Sequence, residues 1–102
     1  DGRYVLKRLA QYNGFAEESN NKEILDAILL LAQTEGIFTE PAGGVSISVL
    51  QKMVEQGKID ANDKVVCYVT GNGLKATESI MEVLQKPTVM KADIKEISAV
   101  VN

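Results

Sequence analysis

The chain has 102 residues, a formal net charge of −3, 45% hydrophobic and 25% charged residues, and no histidine. This length predicts one modest domain, and the scattered charges, without a block of Lys or Arg, exclude the basic footprint of a nucleic-acid-binding surface. The lack of His removes the commonest general base and metal ligand. The single Cys67 cannot pair within the chain, and no apolar run reaches the ~20 residues of a spanning helix. A cytoplasmic, reducing compartment is therefore expected, with no membrane and no metal.

In chain order, Arg3 to Asn13 carries Tyr4, Val5, Leu6, Leu9 and Tyr12 at helical spacing and is closed by Gly14 in the C-terminal capping position. Phe15 to Glu17 predicts a short strand. Asn20 with Glu23 three residues on has the spacing of a capping box and opens a helix expected to run to about Gln33. Its segment from Ile24 to Ala32 is apolar almost all round, which asks for cover on more than one side. Pro41 suits a first helical position, with Glu40 in the cap, and the helix should end at Gly57. Its apolar stripe is Val45, Val49, Leu50, Met53 and Val54. Small residues at Ala42, Gly43, Gly44, Ser46 and Ser48 serve either close packing or the approach of a ligand; on residue types alone, packing is the commoner use.

Asp60, Asn62 and Asp63 match the opening of a calcium loop, but the central Gly and bidentate Glu do not follow, so a turn is expected. Val65 to Val69 is a continuous apolar run containing Cys67 as a small hydrophobe. Such a strand belongs inside a parallel sheet with both faces covered. Thr70 would end it, followed by a Gly71-Asn72-Gly73 turn. Thr77 to Lys86 supplies a short helix interrupted by Pro87, and Asp93 with Glu96 and Ile94, Ile97 and Val101 predicts a capped C-terminal helix. Glu17, Glu18, Glu55 and Glu82 read as solvated carboxylates. The layout is α/β, alternating helices and short strands before a helical tail. The apolar helix and the apolar strand both demand neighbours that this sequence barely supplies, so the expectation is a piece of a larger fold.

Two rival functions arise from the residues themselves. Gly71-Asn72-Gly73-Leu74-Lys75-Ala76 satisfies the dinucleotide fingerprint G-x-G-x-x-A, and Asp93 could serve as its ribose ligand. A working fingerprint needs glycines that open a helix leading to a second parallel strand. Here that helix is short, Pro87 follows it, and Asp93 reads better as an N-cap. The other rival is a stand-alone, non-catalytic α/β domain that binds a partner or a small anion.

Glu35-Gly36-Ile37-Phe38-Thr39-Glu40-Pro41-Ala42-Gly43-Gly44-Val45 and Val69-Thr70-Gly71-Asn72-Gly73-Leu74-Lys75 resemble threonine synthases. The opening Asp1 to Lys7, the run Asn20 to Ala32, and Gly57 to Asp60 are similar to the same family in the same order, and the tail after Thr88 departs from it most. The resemblance implies the C-terminal part of the three-layer large domain of a fold-type II, tryptophan-synthase-β-like enzyme. It implies pyridoxal phosphate as cofactor and conversion of O-phosphohomoserine and water to threonine and phosphate. It also implies that the Lys anchoring the cofactor, the Gly-rich phosphate cradle and the Asn at the ring hydroxyl lie in a missing N-terminal part. No catalytic residue is then expected in this chain, which alone would be inactive, while the complete enzyme would be a homo-oligomer. By the same resemblance Thr70 hydrogen-bonds the pyridine nitrogen, the turn of Glu40, Pro41 and Ala42 lies beside the ring, and Gly71 adjoins it. Lys75 is expected to be a solvated loop residue and not the cofactor anchor. A related threonine or serine dehydratase shares these features.

Overall fold

The computed structural model describes residues 2–81, 83, 84 and 86–101, the side chain of the last excepted. Among these described residues five α-helices follow in order: α1 (Gly2–Gln11), α2 (Asn21–Glu35), α3 (Pro41–Glu55), α4 (Thr77–Met81) and α5 (Ile94–Val101), with a 3-10 turn at Gly73–Lys75 before α4. The expected solvated carboxylate Glu82 lies outside the described residues. The radius of gyration is 18.7 Å, against about 13 Å for a compact domain of this size. The fold is thus a packed helical centre with long, open extensions.

That centre is the α2/α3 pair. Asn20 caps α2 as a full capping box: its side chain accepts the Glu23 N–H, and the Glu23 carboxylate accepts the Asn20 N–H. Gly36, at φ 67°, caps the helix in the left-handed conformation that suits glycine, so that α2 ends at Glu35, two residues beyond the expected Gln33. Ala27, Ile28 and Leu31 of α2 are buried, and they meet a face of α3 whose buried residues are Gly43, Gly44 and Ser48. The apolar stripe expected to bury α3 is therefore not its most buried face; Val54 is exposed. Gly44, against Ile24 and Ile28, lets the helices approach more closely than Val or Leu would.

Phe15 to Glu17 is not a strand. The segment runs as an extended strap along α3, and side chains, not a backbone ladder, hold it. Ser19 Oγ donates to Ser48 Oγ at 2.9 Å, Lys52 Nζ donates to the Glu18 carbonyl at 2.7 Å, and Gln56 Nε2 donates to the Glu17 carboxylate at 2.8 Å. At its start Lys58 Nζ stands 5.3 Å from the centre of the Phe15 ring. Glu17 is accordingly a tether, and its carboxyl is held below the ordinary value of 4.5 first by the Gln56 amide and then by the Glu18 N–H. The α1 helix ends with Asn13, not Gly14, in the left-handed region at φ 50°. The Gly14 N–H bonds the Leu9 carbonyl at 2.8 Å.

The expected three-layer α/β arrangement is not formed by this chain: among the described residues no strand ladder is present, and the single β-type pairing is an isolated antiparallel bridge between Thr39 and Asn72. Val65 to Val69 illustrates the reason. An interior parallel strand needs a strand on each side and a cover on each face. Without them the segment stays irregular, with Val66 79% and Tyr68 78% exposed. Cys67 is half-buried and free.

Candidate functional site

The two glycine-containing stretches, distant in sequence, meet at the start of α3. The Gly73 N–H donates to the Phe38 carbonyl at 3.0 Å, and the Glu40 N–H donates to the Gly71 carbonyl at 3.1 Å. Between them the Thr39 hydroxyl, 1% exposed, lies 3.2 Å from the carbonyl oxygens of both Glu40 and Gly71. The crossing therefore holds its buried hydroxyl without an unsatisfied group.

Glycine is required here by close approach. A Cβ on Gly71 would land on the Glu40 carboxylate, one on Gly43 would land on the Thr39 hydroxyl, and one on Gly73 would come within 2.5 Å of the Phe38 ring. Gly44 is fixed by α2, since its Cβ would lie 2.9 Å from the Ile24 carbonyl oxygen. The small residues that open α3 thus serve packing at Gly43 and Gly44, and the room they leave is filled by the protein itself. Ala42 is exposed, and Pro41 is half-buried on a cleft with Asn21, Ile24, Leu25 and Ser79.

Glu40 occupies the N-cap of α3, but its side chain makes no cap hydrogen bond. Its carboxylate, 19% exposed, turns instead over Gly71 and is gripped by Lys75 Nζ at 2.9 Å. Lys75 is solvated, as expected, with its side chain 66% exposed, but it is also paired with Glu40. Its position follows from local chemistry. The Asn72 side chain accepts the Leu74 N–H at 2.9 Å and opens the 3-10 turn that brings Lys75 back toward α3. Thr70, one residue before Gly71, is exposed.

Of the five expected site residues, the structure brings Glu40 and Gly71 into contact, with Pro41 and Ala42 next to the first and Thr70 next to the second. The residues the sequence reading missed are Thr39, which ties the crossing, and Lys75 as partner of Glu40. Thr39 left one faint signal, a polar residue between the apolar Phe38 and a helix cap. The Lys75–Glu40 pair left none, because pairing at long sequence separation is set by the crossing.

The geometry does not make a dinucleotide site. The glycines lead into a 3-10 turn and a five-residue helix. Asp93 caps α5, accepting the Lys95 N–H at 2.9 Å. Asp60 also turns inward on its own loop, accepting from the backbone and side chain of Asn62, which hold its carboxyl below the ordinary 3.8. No group of residues suited to a metal ion occurs among the described residues, and no helix among them is long and apolar enough to cross a membrane.

A family model described as pyridoxal-phosphate dependent enzyme matches residues 1–71, a stretch that contains the whole α2/α3 pair and ends at Gly71. The chain belongs to this family of pyridoxal-phosphate-dependent enzymes. It is similar to the threonine synthase of Methanocaldococcus jannaschii, at 38% identity over 94% of this chain and 24% of that protein. The threonine synthases of Halalkalibacterium halodurans (42% identity, 88% of this chain, 26% of that protein) and Methanosarcina acetivorans (39%, 91% and 23%) are comparable. The chain thus spans about a quarter of the length of these relatives.

Proposed function

We propose that residues 1–102 are the C-terminal portion of the large domain of a threonine synthase and supply the ring-nitrogen edge of its cofactor site. The observation that carries this reading is the convergence of Glu40 and Gly71: the two stretches that resemble threonine synthases meet through direct backbone bonds, with Thr70 exposed beside them. Their chemistry fits one edge of pyridoxal phosphate. The Thr70 hydroxyl can donate to an unprotonated ring nitrogen, while Glu40, Pro41, Ala42 and Gly71 wall the adjacent side. The phosphate and the covalent attachment fall to the N-terminal part of the enzyme.

When bound, pyridoxal phosphate acts as the electron sink for chemistry on an amino-acid substrate. Thr70, as a neutral donor, holds the nitrogen in place without supplying the charge that would keep it protonated. The exposed run Val65 to Val69 is then an interior strand of a parallel sheet, paired and covered by the rest of the enzyme. With it the fold becomes the three-layer α/β arrangement, and the open apolar groove of α1, lined by Tyr4, Val5, Leu9 and Tyr12, is covered as well. The partners are the N-terminal part of the same enzyme, the substrate O-phosphohomoserine and, in the complete form, further copies of the enzyme, in the cytoplasm.

The test is an assay of the complete enzyme carrying this segment, with pyridoxal phosphate bound. Conversion of O-phosphohomoserine and water to equal amounts of threonine and phosphate is expected, with no turnover by the isolated 102-residue chain. Ammonia release from threonine or serine without phosphate release would instead identify a dehydratase and overturn the synthase reading.

A further inference from the structure

We infer that Lys75 is a positioning residue for the cofactor's ring nitrogen, because its ion pair with Glu40 neutralises the carboxylate that lies against Gly71, the neighbour of Thr70. This inference rests on the reading that Thr70 meets the nitrogen. It deepens that reading by assigning a role to a side chain that touches neither cofactor nor substrate.

The Glu40 carboxylate has left its N-cap duty and lies where a Gly71 Cβ would be, so it sits directly on the backbone of the turn that carries Thr70. It is largely buried, at 19% exposure, even before anything docks on this face. A bare carboxylate in such a place favours a positive charge nearby. With Thr70 at the ring nitrogen, that nitrogen would be a nearby group able to acquire one, by binding a proton. A protonated nitrogen has no lone pair to accept the Thr70 O–H and would instead donate to the Thr70 oxygen, so Thr70 as donor and an uncompensated Glu40 work against each other.

The structure resolves that conflict with Lys75. Its Nζ lies 2.9 Å from Glu40 Oε2, and the backbone is shaped to deliver it. Asn72 caps the 3-10 turn, the Lys75 N–H bonds the Asn72 carbonyl at 3.2 Å, and the Ala76 N–H bonds the Gly73 carbonyl at 3.0 Å. Three consecutive features thus fold the loop back by one turn, and the residue at its end is the cation that meets Glu40. Thr70 and Lys75 act from opposite ends of one loop: the first contacts the nitrogen, and the second removes the charge that would protonate it.

The experiment is nitrogen NMR of the complete enzyme loaded with pyridoxal phosphate labelled with 15N in the ring. In the parent enzyme the resonance is expected at the unprotonated position. Lys75→Gln is expected to move it toward the protonated position, Lys75→Arg to leave it in place, and the double variant Lys75→Gln with Glu40→Gln to return it. A merely structural role for Lys75 would not produce this charge-dependent reversal. A resonance unmoved in Lys75→Gln overturns the inference, as does a shift that persists in the double variant. Thr70→Ala separates the two levels. If it alters the resonance while Lys75→Gln does not, only the role of Lys75 falls. If it leaves the resonance unchanged, the placement of Thr70 falls and the role of Lys75 falls with it.

Discussion

Gly44 of α3 faces Ile28 of α2 at a distance that no side chain could share: a Cβ there would lie 2.8 Å from Ile28 Cγ1 and 2.9 Å from the Ile24 carbonyl oxygen. Ordinary helix propensity favours Ala over Gly by about 1 kcal/mol. Overpacking costs about 1–3 kcal/mol, and here one of the obstructing atoms is backbone, which cannot rotate away. Gly44→Ala is therefore expected to destabilise the protein, with the midpoint of urea unfolding shifted downward. An upward shift would mean that the α2/α3 distance is larger than described.

The same contact explains what could be read from the sequence. The starts of α2 and α3 were legible because caps are local: Asn20 and Glu23 lie within one turn, and Pro41 carries its own geometry. The buried face of α3 was not, since the stripe of Val45, Val49, Leu50, Met53 and Val54 looks like the natural core until Gly43, Gly44 and Ser48 are found buried, Gly44 directly against α2. The run Val65 to Val69 has the apolar continuity of an interior strand yet is irregular here, because a strand needs pairing partners that local sequence does not encode. The family resemblance singled out Glu40 and Gly71, whereas their crossing, its tie through Thr39 and its counter-charge Lys75 are tertiary features without sequence periodicity.

The capping box of α2 satisfies two N–H groups at the helix start. Asn20→Ala removes the side-chain acceptor and is expected to cost about 1 kcal/mol. Amide hydrogen exchange should quicken first at Glu23 and its neighbours. Unchanged protection there would show that the cap is dispensable.

Glu23 also accepts Lys52 Nζ at 2.8 Å, and that hydrogen bond is the first cause holding its carboxyl below the ordinary 4.5, followed by the Asn20 N–H. The folded protein then binds the proton less readily than the unfolded chain. Stability from Glu23 is complete above about pH 4.5 and is lost as pH falls through its lower folded value. Lys52 is raised above 10.5 mainly by the same bond, so its contribution is complete below that pH and is lost as pH rises through the higher folded value. Unfolding midpoints measured across pH should fall at both ends. Glu23→Gln should flatten both limbs without abolishing the acid one, because Glu17 and Asp60 are lowered in the same direction.

Gly71 and Gly73 differ in what surrounds them. A methyl on Gly71 meets the end of the Glu40 side chain, which can swing outward. A methyl on the buried Gly73 meets three atoms of the rigid, half-buried Phe38 ring at 2.5 Å, so a whole ring and not a flexible chain end has to move. Gly73→Ala is therefore expected to cost about 1–3 kcal/mol and Gly71→Ala less. Urea unfolding of the two variants, measured side by side, checks the order; equal costs would contradict it.

The central claim is that Thr70 holds the ring nitrogen of pyridoxal phosphate in a threonine synthase. The most direct measurement is the absorption spectrum of the bound cofactor, together with threonine formation from O-phosphohomoserine, in the complete enzyme and its Thr70→Ala and Thr70→Ser variants. Loss of one hydrogen bond, ~1–1.5 kcal/mol, corresponds to about a tenfold fall in turnover, so Thr70→Ala should show that fall and a displaced cofactor band, while Thr70→Ser retains both. A Thr70→Ala enzyme with the parental spectrum and turnover would contradict the claim.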